Sequence, residues 1–464
     1  MVRNWARPAS ITELTLGVNN ITDGQSITLS GGFLGFKYFE SLLSPHITAR
    51  LIVIDSGYSV TAGVGERSLN LFSLAEELVG NKLNITLENG SGNIYNANSS
   101  FLNLEPDQYA QLKFDSTYPL EVTSVSDVMT KDKKQILTIN LCSEPGARDA
   151  TIRVDKKYDG KISETARSVL TDTLENGGLA ISAEKAPDNA MHFTPTKNTS
   201  ADYGNGRSPF EFLLNLCPKA VPEVPTNAAP GFFIFETQDG FYFRGIDSLI
   251  SATPYPIEYV YRDVATFCDQ SNFRILKYEF IKPSGNMFSQ QGSGINSRNI
   301  FMNPATWETS QVDLKAVDKI LKRMGPEELN DIYQGDGKGD FSKTNFHILN
   351  SGNFDVDVVS TVNNDPSTGL FWYAVGRMRY NLIFSRMIQM AVPCNLELRA
   401  GMVIKCQFPA ITDTPQEGVS DEKISGKYLI VNLAHEFTAD QQIGSLTHLT
   451  VVRDTDGVYT VEED

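Results

Sequence analysis

The chain has 464 residues, with 56 Asp and Glu against 40 Lys and Arg, for a formal charge of −16. That length exceeds one ordinary hydrophobic core and predicts two to four domains. The composition, 41% hydrophobic, is that of a globular protein, and the acidic excess argues against coating nucleic acid, which needs clustered cations.

Five cysteines, Cys142, Cys217, Cys268, Cys394 and Cys406, are scattered without a C-x-x-C pair. Thiols and a reducing compartment are expected. The first residues, Met-Val-Arg-Asn-Trp-Ala-Arg-Pro, lack the apolar core of a secretory signal. No apolar run approaches the roughly 20 residues that span a bilayer.

Residues 1–147 read as antiparallel β. Ile47, Ala49, Leu51 and Val53 share one face of a strand, and Leu83, Ile85 and Leu87 alternate in the same way. Residues 118–129 and 135–142 flank a charged turn and predict a hairpin. Leu71–Leu78 fits either a helical turn or an irregular strand.

Residues 148–255 change character. A strand is expected over Thr151–Asp155, then a helix from about Ser163 to Leu174. Its stripe is Ile162, Ala166, Val169, Leu170 and Leu174, and Gly177-Gly178 ends it. A second helix starts at Ser208, with Pro209 in the first position and Glu211 completing a capping box. Pro218, Pro222, Pro225 and Pro230 mark a stiff connector. Then comes Gly231-Phe-Phe-Ile-Phe-Glu-Thr-Gln-Asp-Gly-Phe-Tyr-Phe-Arg-Gly245. Asp239-Gly240 suits a type I′ turn, in which both central residues have φ > 0, and so predicts a β-hairpin. Phe232, Ile234, Phe241 and Phe243 are expected to fill a core rather than stack a ligand. The block reads as a small α+β domain.

Residues 256–355 read as a loop-rich insertion, with a polar loop over Ser284–Arg298 and a short helix over Val312–Met324 stopped by Gly325-Pro326. Residues 356–464 return to β. A helix is expected from Ser367 to about Gln389, carrying Phe371, Trp372, Val375, Met378, Leu382 and Met387. Strands follow near Leu398–Phe408, Lys427–Phe437 and Ser445–Arg453, and Gly401 supplies a bulge or a tight approach.

Chemistry-bearing patterns are sparse. The histidines are His46, His192, His347, His435 and His448, none in His-Glu-x-x-His, and Gly-x-Ser-x-Gly is absent. His435 and His448 sit on neighbouring predicted strands and could face each other; cross-strand packing is the simpler reading than metal ligation. Asp336-Gly-Lys-Gly-Asp340 lacks the ligand order of a calcium loop, and Asp454-Thr-Asp456-Gly457 reads as a turn. Gly31-Gly32-Phe-Leu-Gly35 and Gly63-Val-Gly65 lack the strand–loop–helix context of a phosphate cradle. No catalytic, cofactor-binding or metal-ligating residue is assigned, and no enzymatic activity is expected.

The order of helix, Pro-rich connector and aromatic hairpin ending in Phe243-Arg244 resembles the central baseplate hub proteins of contractile-tailed bacteriophages. Phe36–Asp55 is similar to the first barrel of that family. Ser425–Phe437 with Leu449–Asp454 is similar to its last strands. The resemblance implies a β-rich α+β fold with two tube-like antiparallel β-barrels joined by smaller α+β domains. The first barrel would cover 1–147, the connecting domain 148–255, the insertion 256–355 and the second barrel 356–464. It further implies a homotrimer in the virion tail, assembled in the host cytoplasm. Its partners would be a threefold central spike, a sixfold tail tube or tube initiator, and surrounding wedge proteins. Residues 256–355 depart most from the family. The alternatives are another tail component, such as a tube initiator or wedge protein, or a β-sandwich carbohydrate-acting enzyme or adhesin. The enzyme would need paired carboxylates about 5–10 Å apart.

Overall fold

The computed structural model describes residues 10–17, 26–55, 61–62, 67–68, 78–88, 111–114, 118–131, 134–181, 191–224, 229–261, 274–282, 297–314, 324, 343–349, 369–410, 420–421, 423–439 and 445–454. The first strands are β1 (Ser10–Gly17), β2 (Ser26–Thr28), β3 (Phe33–Ser41), β4 (Thr48–Asp55), β5 (Thr61–Ala62) and β6 (Arg67–Ser68). After them come β7 (Lys82–Glu88), β8 (Gln111–Phe114), β9 (Leu120–Lys131) and β10 (Lys134–Ser143). A mixed block follows: α1 (Glu144–Thr151), β11 (Lys157–Lys161), α2 (Ile162–Thr171), β12 (Met191–Phe193), β13 (Thr199–Tyr203), α3 (Pro209–Leu216), β14 (Phe232–Thr237), β15 (Gly240–Gly245) and α4 (Ile246–Ile250). The last elements are β16 (Glu258–Tyr261), β17 (Arg274–Ile275), β18 (Lys277–Lys282), β19 (Ser297–Met302), β20 (Thr309–Leu314), β21 (Lys343–Ile348), α5 (Gly369–Ile383), β22 (Arg386–Pro393), β23 (Val403–Gln407), β24 (Gly426–Thr438) and β25 (Leu446–Arg453).

The period-2 patterns of the first segment hold. Ala49, Leu51 and Val53 of β4 and Leu83, Ile85 and Leu87 of β7 are buried, whereas Arg50 is exposed. The hairpin over 118–129 and 135–142 is β9–β10, with β10 also pairing along β4. The pairings run β2–β1–β7–β9–β10–β4–β3. This succession starts and ends on adjacent stretches of chain, because one 3-10 turn at Ser30–Gly32 separates β2 from β3. A second succession runs β18–β22–β25–β24–β23–β16–β17. It too begins and ends on neighbouring residues, since only Leu276 lies between β17 and β18.

Two departures from expectation concern this architecture. β24 pairs with β3 from Asn432↔Ser41 to Thr438↔Gly35, so both ends of the chain contribute to one continuous sheet of 17 strands rather than to two separate sheets. Its inward side chains form a single apolar cluster, including Leu51, Leu83 and Ile139 with Ile388, Ile430 and Val451. The pairing is also not wholly antiparallel: β16 runs parallel to both β17 and β23. The smaller sheets are β11–β13, β12–β15–β14 and β20–β19–β21.

In the mixed block, Ser208 caps α3 as its sequence requires. Its hydroxyl accepts from Glu211 N at 3.3 Å, and Pro209 occupies the first turn. α2 buries Ile162, Ala166, Val169 and Leu170, but it stops at Thr171, so Leu174 lies in a following 3-10 turn and is exposed. Gly177, with φ 76°, closes that turn. Thr151–Asp155 is not a strand. Thr151 ends α1, and only Val154 makes a β-bridge, to Arg207.

The expected helix over Val312–Met324 begins instead as strand, because Val312–Leu314 belong to β20. Ser297 and Arg298 belong to β19, and the rest of the expected 284–298 loop lies outside the described residues. α5 is shorter than its periodicity suggested. It ends at Ile383, and Met387 belongs to β22, where Arg386-Met-Ile-Gln-Met follows the alternation of a strand. Cys268, 71–77, 336–340 and Gly63-Val-Gly65 also lie outside the described residues.

Candidate functional site

The β14–β15 hairpin is the point where the mixed block meets the large sheet. All six residues of β14 are buried. One face sends Phe232, Ile234, Phe241 and Phe243 into a cluster with Val169, Leu170, Phe210 and Leu213, as the sequence predicted. The other sends Phe233 and Phe235 into a second cluster with Leu249, Ile383, Val403 and Leu429. Each such Phe contributes about 1.5–3 kcal/mol by leaving water. The pairing runs from Phe232↔Gly245 to Thr237↔Gly240. The tight turn is therefore Gln238-Asp239, not Asp239-Gly240. Neither of those two residues has positive φ, whereas Gly240 has φ 132° at the start of β15. Gly401 lies against this hairpin with φ 86°, and a Cβ there would meet the Phe235 ring at 2.8 Å, which accounts for glycine at this position.

Two buried carboxylates tie the hairpin to the sheet. On β3, Phe36, Tyr38 and Glu40 share the inward face, each no more than 1% exposed. Glu40 Oε1 accepts from Tyr38 OH at 2.6 Å and from Gln238 N at 3.0 Å. Its Oε2 accepts from Ala400 N at 2.8 Å. One side chain thus joins β3, the hairpin turn and the turn before β23. Glu236 of β14 reaches the other way. Its Oε2 accepts from Ile47 N at 2.8 Å and from the Ser143 hydroxyl at 2.6 Å, while Oε1 is buried with no hydrogen-bond partner.

Burial raises the Glu40 carboxyl above its ordinary value, opposed by Arg399 and its three donors. Burial pushes Glu236 well above that value, opposed by the Ile47 amide and reinforced by the negative charge of Glu40. Arg399 closes the edge of the junction. Its Nε donates to Asp239 Oδ2 at 3.1 Å, its Nη2 to Gln238 Oε1 at 3.1 Å, and its Nη1 to the Leu396 and Leu398 carbonyls.

A second clamp lies on the far side. Arg379, fully buried on α5, donates to Asp247 Oδ1 of α4 at 3.0 Å and to Asp454 Oδ2, just past β25, at 3.2 Å. Asp247 also accepts from Ala229 N at 2.8 Å, and Asp454 from Met324 N at 2.9 Å. Asp454 was read from sequence as the first residue of a turn; residues 455–457 lie outside the described residues, and the Asp454 carboxylate is buried in this ion pair. Tyr380, the next residue of α5, meets both the amide and the carbonyl of Phe232.

These groups hold segments together, and the arrangement is that of a scaffold joint. His435 and His448 do not face each other. His435 pairs with Thr447 and His448 with Ala434, so the two rings emerge on opposite faces. His435 is fully buried with Nδ1 2.9 Å from Thr447 Oγ1, and burial lowers it to about 3. His448 sits 2.9 Å from Glu436, which also pairs with Lys37 at 2.7 Å across the β3–β24 seam. Cys142, Cys217, Cys394 and Cys406 are buried as thiols, and burial raises the first three to about 12. Among the described residues no group of three or more His, Cys, Asp or Glu could hold a metal ion. Gly31 and Gly32 lie in the 3-10 turn before β3, not before a helix.

Of the six clamp residues Glu40, Glu236, Asp247, Arg379, Arg399 and Asp454, the sequence singled out only Asp454, and that as part of a turn. The available signal was phase: Glu40 continues the Phe36/Tyr38 face, Glu236 follows four apolar residues, and Arg379 falls on the Val375/Met378/Leu382 stripe of α5.

No protein-family model and no curated protein sequence matches the chain. Among solved structures it is similar to a tail protein from Neisseria meningitidis, at 9% identity over 95% of this chain and 97% of that one, TM-score 0.48. It is similar to a 43 kDa prophage tail protein from Shewanella oneidensis, at 10% identity over 95% and 98%, TM-score 0.47. It is also similar to an Escherichia coli component of the type VI secretion system described as resembling bacteriophage T4 tail proteins, at 9% identity over 98% and 80%, TM-score 0.43.

Proposed function

We propose that this chain is the central hub of a contractile-tail baseplate, a structural protein of the virion with no catalytic step. The observation that carries the reading is the pair of strand successions, one built mainly from each half of the chain and each beginning and ending on neighbouring stretches of chain. Two tube-like barrel units per chain, in a homotrimer, present six quasi-equivalent units in a ring. Such a ring meets a sixfold tail tube or tube initiator on one side and a threefold spike on the other, with wedge proteins around it. A single sheet linking both units, with a hairpin clamped between them and the mixed block, gives such a ring the stiffness that mechanical load requires. The acidic composition suits a lumen that lets DNA pass.

The test is mass. Light scattering or native mass spectrometry of the purified chain at high concentration, alone and with a spike protein, is expected to give three copies. A monomer under both conditions would overturn the hub reading. A density map of the assembled tail end would then locate the ring.

A further inference from the structure

The junction contains a side chain that the scaffold reading does not need in its present form. Glu236 is fully buried, accepts two hydrogen bonds on one oxygen, and leaves the other buried without a partner. A permanent carboxylate in that position is a poor fastener, because its second oxygen has lost water and gained nothing. A glutamine would hold the same amide and hydroxyl without charge. The titratable groups that act on or feel Glu236 are Glu40 and Tyr38, both from β3. Arg399 directs its guanidinium to Asp239, Gln238 and two carbonyls, so it does not pair with Glu236.

We propose that Glu236 makes the hairpin junction a proton-linked latch: it is protonated while β14–β15 is seated, and loss of that proton to solvent loosens the hairpin from Ile47 and Ser143. As an acid, Glu236 still takes the Ile47 amide on one oxygen and exchanges its hydrogen with the Ser143 hydroxyl, which both donates and accepts. Deprotonation places a second negative charge beside Glu40 in a site closed to water. Relief comes only by opening, which lets water reach Oε1. Glu40 differs in its partners: burial raises it too, but Arg399 and three donors oppose that rise, and both of its oxygens are engaged, by Tyr38 and Gln238 on one and Ala400 on the other.

The direction follows from the raised value of Glu236 in the closed state. The closed form binds the proton more tightly than the opened form. Closure is therefore fully supported below the ordinary carboxylate range and is lost as pH rises through the raised value. Over that interval the opening equilibrium shifts by up to about tenfold per pH unit. The latch stands apart from the trimer reading, since it concerns one chain and would operate in a monomer.

Amide hydrogen exchange tests it. In the unmodified chain, protection of the Ile47 amide and of β14–β15, corrected for the intrinsic pH dependence of exchange, is expected to fall as pH rises from the ordinary carboxylate range through the raised value of Glu236. In Glu236→Gln the profile at Ile47 is expected to be flat. Ser143→Ala removes a donor to the ionised form, so its fall should extend to higher pH than in the unmodified chain. Protection at Ile47 that is independent of pH in the unmodified chain overturns the latch. So does an equal fall in Glu236→Gln. If Glu236→Gln does not fold, a Ser143→Ala profile superimposable on the unmodified one overturns it.

Discussion

At the scale of single residues, the fold relies on buried charges that are matched rather than avoided. Arg379 neutralises Asp247 and Asp454 in an environment with no exposed side-chain area at the arginine. Breaking such a group by removing one partner leaves uncompensated charge, which costs about 3–5 kcal/mol. Arg379→Leu should therefore lower stability by about that amount in urea denaturation. Adding Asp247→Asn and Asp454→Asn to Arg379→Leu should recover much of the loss. A single Arg379→Leu variant as stable as the parent would show that the clamp carries no load. The same logic explains why the candidate site was hard to see in the sequence. The partners of Glu236 and Glu40 lie 189 residues away at Ile47, 198 away at Gln238 and 360 away at Ala400. Phase marked Glu40 and Glu236 as inward, but nothing local says which distant amides they meet.

At the scale of elements, local chemistry was legible where it was self-contained. Ser208, Pro209 and Glu211 sit within one turn, and the Ser208 half of the expected capping box forms, its hydroxyl accepting from Glu211 N. Ser208→Ala should cost about 1 kcal/mol, the usual value of an N-cap hydroxyl, with α3 otherwise intact. Thermal or denaturant unfolding checks this, and a neutral substitution would mean that tertiary packing of Phe210, Phe212 and Leu213 alone fixes α3. The strands of the aromatic hairpin were equally legible because both runs are rich in Phe. Its turn was not: Thr237↔Gly240 pairing recruits Gly240 into β15 and pushes the turn back by one residue. α5 was overextended because Met387 happens to fall near its stripe, while burial of Ile388 and Met390 follows strand alternation in β22. The offset of His435 and His448 follows from the irregular register between Ile430 and Asn432, which no composition rule announces.

At the scale of the whole molecule, the net charge of −16 makes an expectation about DNA. Contacts to phosphate require cations, and acidic surroundings oppose them, so any binding should be weak and salt-sensitive. A fluorescence anisotropy titration with duplex DNA at moderate salt is expected to show no submicromolar complex. Submicromolar binding would remove the argument for a passage that lets DNA slide. Sequence periodicity told that both ends of the chain are β, yet it could not tell that they share one sheet. That sharing is decided by β3 and β24, where Phe36 meets Phe437 and Ser41 Oγ lies 2.6 Å from Asn432 Oδ1.

The seam between those two strands also sets a timetable. Ser41 and Asn432 are 391 residues apart. At synthesis rates of about 5–20 residues per second, a ribosome needs on the order of 20–80 s to travel between them. Throughout that interval the unpaired backbone edge of β3 is open to any strand that arrives first, including one from a neighbouring nascent chain. Assembly of this protein in a cell is thus a matter of guarding one edge of β3 until β24 has been made.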